Sequence, residues 1–544
     1  MNRVGNLVKR ARDLHKAGGF LLLSACAFVF ALPFMTKGFS GEYVTVLSAV
    51  FGWIGLALPF AVIFDFKKTL KRVLCSLFCF FFVFYFFVYS WFINLYPLDF
   101  AGLGNLESIG VIIVAETVIP FLHAVIMSAC VFSSFLAAKQ TNNNFFRAVL
   151  LSFGYVIGEF MQSVGTFAFP WARLFVGQTC FTVLLQSASL FGSYFITFIM
   201  VLVNTLLAFL LIDLSEGKSK SRIYAIAAAC IFLINLSYGA LRINLTDLSD
   251  SGKIDAVVLQ GNIPSGQKWS GEVDEKKVYL ELADSFDAEK FDADIAVMPE
   301  TAFPTTLYPC DGYDSPSEEA LMQISKKLDA VLFAGAFYKE NGNSYNSIFA
   351  YDKDGCIGTP YNKQNIVPFG EYLPYRSIIE TLVPSLAEIN MLSSDLSRGD
   401  TSEPIKTDAG SAACLVCFDS IFPETARRQV KKGADFIVIS TNDSWYKTSG
   451  AIYQHADHAV MRAIENNVPV IRSANTGISR IIDSFGNTVN ETRVNERILM
   501  SGSVYVPENG TLYTLIGDAF VLLSFICIIL AFVLGFLRKK AFRS

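Results

Sequence analysis

Eight long apolar stretches decide what this chain can become. Seven precede residue 242, at roughly 18–35, 43–65, 73–95, 109–137, 146–168, 179–213 and 222–241, and an eighth runs from about 511 to 537. A helix needs about 20 apolar residues to cross a hydrocarbon core, and each stretch but the first reaches that comfortably. The stretch at 179–213 exceeds it, which predicts a tilted span or one with an interfacial piece. Composition agrees: 53% of the 544 residues are hydrophobic, 50 are Phe, and only 17% are charged, against about 25% in soluble domains. A net charge of −4 gives no electrostatic reason to expect a nucleic-acid partner.

Lysine and arginine set the expected orientation. Lys9, Arg10, Arg12 and Lys16 precede the first stretch, and Lys67, Lys68, Lys71 and Arg72 follow the second. Lys139 and Arg147 follow the fourth, and Lys218, Lys220 and Arg222 follow the sixth. The alternate connections are nearly bare: 96–108 has no Lys or Arg, 36–42 has Lys37 alone, and 169–178 has Arg173 alone. The expectation is a membrane domain of seven helices over 1–247 and an extracytoplasmic domain over 248–508. A last helix and tail over 509–544 then return Arg538-Lys539-Lys540 to the cytoplasm, so both termini are cytoplasmic. Leu23-Ser24-Ala25-Cys26 imitates a lipoprotein cleavage site, but the apolar run continues to Met35 and six more stretches follow, so a first membrane helix is the better reading.

The polar block alternates short β-branched runs with helix-like segments. Ile254–Leu259, Ile295–Met298, Ala330–Ala336, Ala412–Phe418 and Phe436–Thr441 have strand length. Glu275–Phe286, Ser317–Leu328 and Ile452–Asn467 read as helices, and Asp354-Gly355 after Phe349–Asp352 as a hairpin turn. Such alternation indicates a layered α/β domain. Of 11 cysteines, only Cys310, Cys356, Cys414 and Cys417 lie here, with no disulfide spacing. His455 and His458 are the only histidines in the block, so a zinc site is not expected.

Three segments can carry chemistry. Cys417 ends an apolar run and enters Phe418-Asp419-Ser420, where a thiol gains exposure and backbone N–H groups can bind an oxyanion. Taken alone, a buried strand cysteine is the default. Cys414-x-x-Cys417 hints at redox chemistry, but a spacing of three within one strand puts the two on opposite faces. Glu300 follows the run Ile295–Val297, at the sheet edge where α/β folds place their sites, and could act as a general base. The default there is a solvated loop acid. Lys363 sits in Tyr361-Asn362-Lys363-Gln364-Asn365-Ile366-Val367-Pro368-Phe369-Gly370-Glu371-Tyr372, a segment too rich in aromatics, Pro and Gly for a loose loop.

Together these segments resemble the nitrilase superfamily, whose Glu–Lys–Cys triad falls in this order along the chain. With seven spans before the block and one after, the nearest resemblance is to the apolipoprotein N-acyltransferases. It is densest at 256–269, 298–304, 361–374, 417–424 and 441–483. The resemblance implies an α-β-β-α sandwich, with Glu300 as base, Lys363 as the triad lysine, Cys417 as nucleophile and Glu371 as a second required acid. Gln260-Gly261-Asn262-Ile263-Pro264 and Trp269 resemble the family's opening strand and an important tryptophan. Asn442-Asp443-Ser444-Trp445-Tyr446 resembles its Asn-Asp-x-Trp-Phe segment, and Trp445 and Tyr446 are candidates to line an acyl path. Gln454-His455, Met461-Arg462-Ala463 and Arg472–Gly477 resemble its closing helix and strand, and Phe169-Pro170-Trp171 its membrane-domain loop. After the cysteine, Phe418-Asp419 stands where the family usually has Tyr-Glu.

The implied activity is transfer of an acyl chain from a phospholipid, through a thioester on Cys417, to the amino group of a diacylglyceryl-cysteine lipoprotein. It needs no cofactor and takes place at the bacterial plasma membrane. Two other readings stand beside it. A membrane-tethered amidase would use the same triad with water as acceptor. A non-catalytic transporter would need charges inside the spans, which are scarce there with Glu116, Glu159 and Asp518 as exceptions, and a degenerate sensor would not be expected to keep all three triad residues.

Overall fold

The computed structural model describes residues 2–16, 20–35, 49–66, 68–98, 103–218, 221–248, 251–308, 315–377, 381, 395–508 and 510–541. The chain clusters into two compact units, one of 1–93, 112–245 and 516–544, the other of 94–111 and 246–515.

The first unit is helical. Among the described residues, five helices are long and apolar enough to cross a membrane: Leu70–Leu95, Asn105–Ala138, Ser193–Ser215, Arg222–Leu245 and Ala519–Lys539. Two more apolar helices are shorter, Leu21–Met35 and Ala49–Ile63, and Asn144–Met161 carries Arg147 and Glu159. The chain is a multi-pass membrane protein. The long stretch at 179–213 is two pieces rather than one tilted span: short turns end at Gly192, whose φ of +77° breaks the path, and Ser193–Ser215 follows.

The second apolar stretch is also broken, and Asn204 repairs the gap. Its Oδ1 accepts from Leu56 N at 2.9 Å, and its Nδ2 donates to Gly52 O at 3.0 Å. Where no water is at hand, a side chain must satisfy the freed backbone groups. Glu159 does similar work, accepting from Arg173 Nε at 2.9 Å, Leu174 N at 3.0 Å and Thr197 Oγ1 at 2.6 Å. The Phe169-Pro170-Trp171 loop packs by aromatic stacking, with the Phe169 and Trp171 rings 3° from parallel and Trp171 fully buried.

The second unit holds two sheets. The first has the order β13-β1-β2-β4-β5-β6, from Ile498–Val506, Gly252–Gln260, Ile295–Val297, Val331–Glu340, Asn343–Tyr351 and Cys356–Asn362, with β3 (Thr306–Leu307) beside β4. The second has the order β12-β11-β10-β9-β8-β7, from Thr488–Glu491, Arg480–Ile482, Val470–Ala474, Phe436–Thr441, Gly410–Val416 and Ile405–Thr407. β1, β2 and β4 run parallel, as do β8, β9 and β10. The expected hairpin is β5–β6.

Alternation along each strand builds the layers, because neighbouring side chains point to opposite faces. Ala256, Val258, Ile295, Val297 and Phe333 join Ala412, Cys414, Val416, Phe436 and Val438 in the core between the sheets. Val257, Leu259, Ala296, Leu332 and Ala334 instead meet the helices Glu275–Asp284 and Pro316–Leu328. The helices Pro423–Lys431 and Gly450–Asn466 belong to the second sheet's half. This is the expected α-β-β-α sandwich.

Candidate active site

The site gathers where parallel strands end. Glu300 lies three residues beyond β2, Cys417 directly after β8, and Asn442 directly after β9. Lys363 directly follows β6. The carboxyl edge of a parallel sheet is where the backbone turns away and leaves room for a ligand.

Strand β8 stops at Val416, two residues short of the apolar run, because Cys417 takes φ +49° and opens a tight turn through Ile421. Left-handed backbone is costly for a residue with a Cβ and tends to occur at functional sites. Thr301, next to Glu300, has φ +44°, and Phe369, between Lys363 and Glu371, has φ +62°. Each of the three candidate segments therefore carries such a residue. Ser420 Oγ at 2.8 Å and His455 Nε2 at 3.2 Å both reach the Cys417 carbonyl and hold the turn. Cys417 and Cys414 are both free thiols; Cys310 lies outside the described residues.

Glu300 is buried and held on both oxygens. Oε1 accepts from Asn346 Nδ2 at 2.7 Å, and Oε2 accepts from Asn442 N at 2.8 Å. Lys363, 1% exposed, places Nζ 2.8 Å from Glu371 Oε1 and 3.6 Å from Glu300 Oε1. Glu371 also accepts from Asn346 Nδ2 at 3.1 Å and from Val367 N at 2.8 Å. Burial works against the Lys363 ammonium, but Glu371 and Glu300 outweigh it and hold its pKa above the ordinary lysine value. Burial and the Glu300 charge push the Cys417 thiol well up, with Lys363 opposing. At rest the Cys417 thiol is held neutral and the Lys363 amine charged.

Asp419 binds the lysine loop to the cysteine turn. Oδ2 accepts from Tyr361 Oη at 2.8 Å and Val416 N at 3.2 Å, while Oδ1 accepts from Asn365 N at 2.7 Å and Asn365 Nδ2 at 2.9 Å. Burial raises its pKa, and Lys363 and these donors oppose that. Its neighbour Phe418 is buried, with its ring edge-on to Phe422. Trp269 is 44% exposed, 6.1 Å between ring centroids from Phe337. Trp445 and Tyr446 are partly buried. Burial pushes the Tyr446 phenol up, and the nearby Cys417, Asp443 and Glu300 add to it.

Three contributors gave no signal of their own in the sequence. Asn346 bridges Glu300 and Glu371, but a lone Asn in a strand gives no signal. Asn442 acts through its main-chain N–H, which any residue type could supply. Lys268 reads as an ordinary surface lysine yet is sealed against the Glu300 segment. Asp443, His455 and Arg472 form a fully buried line, with contacts of 2.8 Å and 2.7 Å; only the resemblance to the Asn-Asp, Gln-His and closing-strand segments marked them. No cluster of metal-binding residues occurs among the described residues.

Comparison with known proteins places the chain. Residues 257–502 match the carbon-nitrogen hydrolase family, and residues 18–206 match the apolipoprotein N-acyltransferase N-terminal domain. An apolipoprotein N-acyltransferase of Geobacter metallireducens is 31% identical over 360 residues, covering 65% of this chain and 67% of that protein. One of Bradyrhizobium diazoefficiens is 30% identical over 400 residues, covering 70% of this chain and 72% of its own. Among solved structures, a carbon-nitrogen hydrolase of Helicobacter pylori is similar at 20% identity and a TM-score of 0.34, covering 46% of this chain and 89% of that one. With both domain models matched in order and such identity along most of the length, the chain belongs to the apolipoprotein N-acyltransferase family.

Proposed function

We propose that the protein moves an acyl chain from a phospholipid to the N-terminal diacylglyceryl-cysteine of a lipoprotein, through a thioester on Cys417. The observation that carries this reading is the buried Glu300–Lys363 pair at 3.6 Å, whose opposite charges both act on the Cys417 thiol.

Glu300 takes the thiol proton as the sulfur attacks an ester carbonyl, and a C–S bond forms. Lys363 and a backbone N–H near Phe418 stabilise the oxyanion. The C–O bond to glycerol breaks, Glu300 returns its proton to that oxygen, and lysophospholipid leaves. The α-amino group of the acceptor then attacks the thioester and Glu300 takes a proton from it; a C–N bond forms, the C–S bond breaks, and Glu300 passes that proton to the departing sulfur. Glu371, 2.8 Å from the Lys363 ammonium, keeps the lysine charged and fixed. Trp445, Tyr446 and Trp269 flank the path of the chain. Neither substrate leaves the bilayer readily, which explains a catalytic domain joined to membrane helices.

The basic connections orient residues 248–508 away from the cytoplasm of a bacterial plasma membrane, with both termini inside. A membrane domain over 1–247, a catalytic domain over 248–508 and a last helix and tail over 509–544 follow from the same charges.

The test is mass spectrometry of the full-length protein mixed with phospholipid, before any acceptor is added. A hydroxylamine-sensitive acyl adduct on Cys417, missing in Cys417→Ala and discharged by a diacylglyceryl-cysteine peptide, is the expected result. No adduct with phospholipid bound would sink the reading and bring the amidase forward.

A further inference from the structure

Among the described residues, Lys268 is a cation sealed against the base segment that the chemistry above leaves unused. It is 2% exposed and sits on the short helix Ser265–Ser270. Its Nζ donates to the Glu300 carbonyl at 3.0 Å and to Thr301 Oγ1 at 2.7 Å. Sealing a lysine away costs side-chain freedom and a large part of its hydration. Burial lowers the pKa of Lys268 to about 8, with the charges of Glu300 and Glu275 opposing.

The peptide it grips needs holding. Thr301 is left-handed at φ +44°, and on the other side the segment lies against the bare backbone of Gly335, where a Cβ would stand 2.6 Å from Pro299 O and 2.7 Å from Glu300 Cα. The base is thus clamped between a strand that leaves no slack and an ammonium that holds two successive residues. Lys268 also lies 5.3 Å from the ring of its neighbour Trp269, whose 44% exposure leaves it open to contact.

We propose that Lys268 is a positioning residue for the base: by tying the Glu300 carbonyl and the Thr301 hydroxyl, it fixes the peptide from which the Glu300 carboxylate reaches Cys417. This rests on Glu300 being the base of the proposed reaction. Lys363, Asp443 and Tyr446 also act on that carboxylate or thiol, Glu371 acts through Lys363, and the charge of Glu275 bears on Lys268 itself.

The experiment follows thioester formation on Cys417 in the full-length protein, with phosphatidylethanolamine–phosphatidylglycerol vesicles as donor, for wild type, Lys268→Met and Lys268→Gln. Lys268→Met is expected to slow the step on the order of 10²-fold, the cost of about an ångström of misplacement, with the donor KM little changed. The acid limb of its rate–pH profile should move to higher pH, because the carboxylate loses a nearby cation and takes a proton more easily. Lys268→Gln keeps a donor for the two oxygens, so it should recover part of the rate but keep the displaced limb. Wild-type rate and limb in Lys268→Met would overturn the proposal. So would a rate loss in both variants with the limb unmoved, since a purely structural lysine predicts that. Should Lys268→Met fail to fold, the limb of Lys268→Gln decides alone. A wild-type protein that forms no adduct at all would instead count against the acyl-transfer reading.

Discussion

Replacing Asp419 by Ala removes the carboxylate that ties the lysine loop to the nucleophile turn. Its oxygens take bonds from Tyr361 Oη, Val416 N, Asn365 N and Asn365 Nδ2, with Gln364 N more distant at 3.4 Å. Asn365 Nδ2 keeps a second partner in Thr425 Oγ1 at 2.9 Å. The donors left stranded in the interior are Tyr361 Oη and Val416 N, both on buried residues. Each buried donor without a partner costs about 1–3 kcal/mol, so the loss is about 2–6 kcal/mol in total. That is a large part of the ~5–15 kcal/mol that holds a typical domain together. Asp419→Asn keeps Oδ1 as an acceptor, and the Tyr361 hydroxyl can turn to accept from the new amide, so only Val416 N is orphaned, at about 1–3 kcal/mol. Thermal unfolding and the rate of thioester formation should therefore rank wild type, Asn, Ala, with Ala slowest on the order of 10²-fold as Lys363 drifts. An Ala variant that acylates Cys417 at the wild-type rate with an unchanged Tm would refute this account of Asp419.

Three further outcomes are expected. Glu371→Gln keeps an acceptor for the Lys363 ammonium but removes the charge that balances it at 2.8 Å, leaving Glu300 at 3.6 Å, so stability should fall by up to about 3–5 kcal/mol and acylation should slow; wild-type stability in denaturant would contradict it. Gly335→Ala forces a Cβ to within 2.8 Å of three backbone atoms of the Glu300 segment; it should cost about 1–3 kcal/mol and impair acylation while the protein still folds, and full activity would show that the segment is looser than described. Arg472 and His455 hold Asp443 at a pKa of about 2, below its ordinary 3.8. A depressed carboxyl stabilises the fold above its unfolded pKa and loses that contribution as pH falls through its folded one. About 2 kcal/mol should therefore disappear between pH 4 and 2 in wild type but not in Asp443→Asn, and parallel acid-unfolding curves would refute it.

What the sequence made legible follows contiguity. Glu300, Lys363, Glu371 and Cys417 each lie inside an unbroken run of unusual composition, so their segments stood out together. The strands β1, β2, β4, β8 and β9 announced themselves as short β-branched runs. Features that depend on a distant partner stayed hidden. Asn346 matters because β5 carries its amide between two carboxylates that lie 46 and 25 residues away in the chain. The breaks in the second and sixth apolar stretches are invisible to hydropathy, since Asn204 from another helix satisfies one and a left-handed Gly192 makes the other. Strand β8 ends early because Cys417 adopts a backbone angle that its residue type disfavours, and local preference cannot foresee a conformation imposed from outside.

The neutral resting thiol has a consequence for survival as well as for catalysis. Peroxides, disulfides and alkylating agents attack the thiolate and largely ignore the thiol. With its pKa driven up by burial and by Glu300, Cys417 rests as the thiol. A nucleophile kept in that form can wait in oxidising surroundings without being consumed, and the proton that must be removed in every turnover is also what shields the sulfur between turnovers.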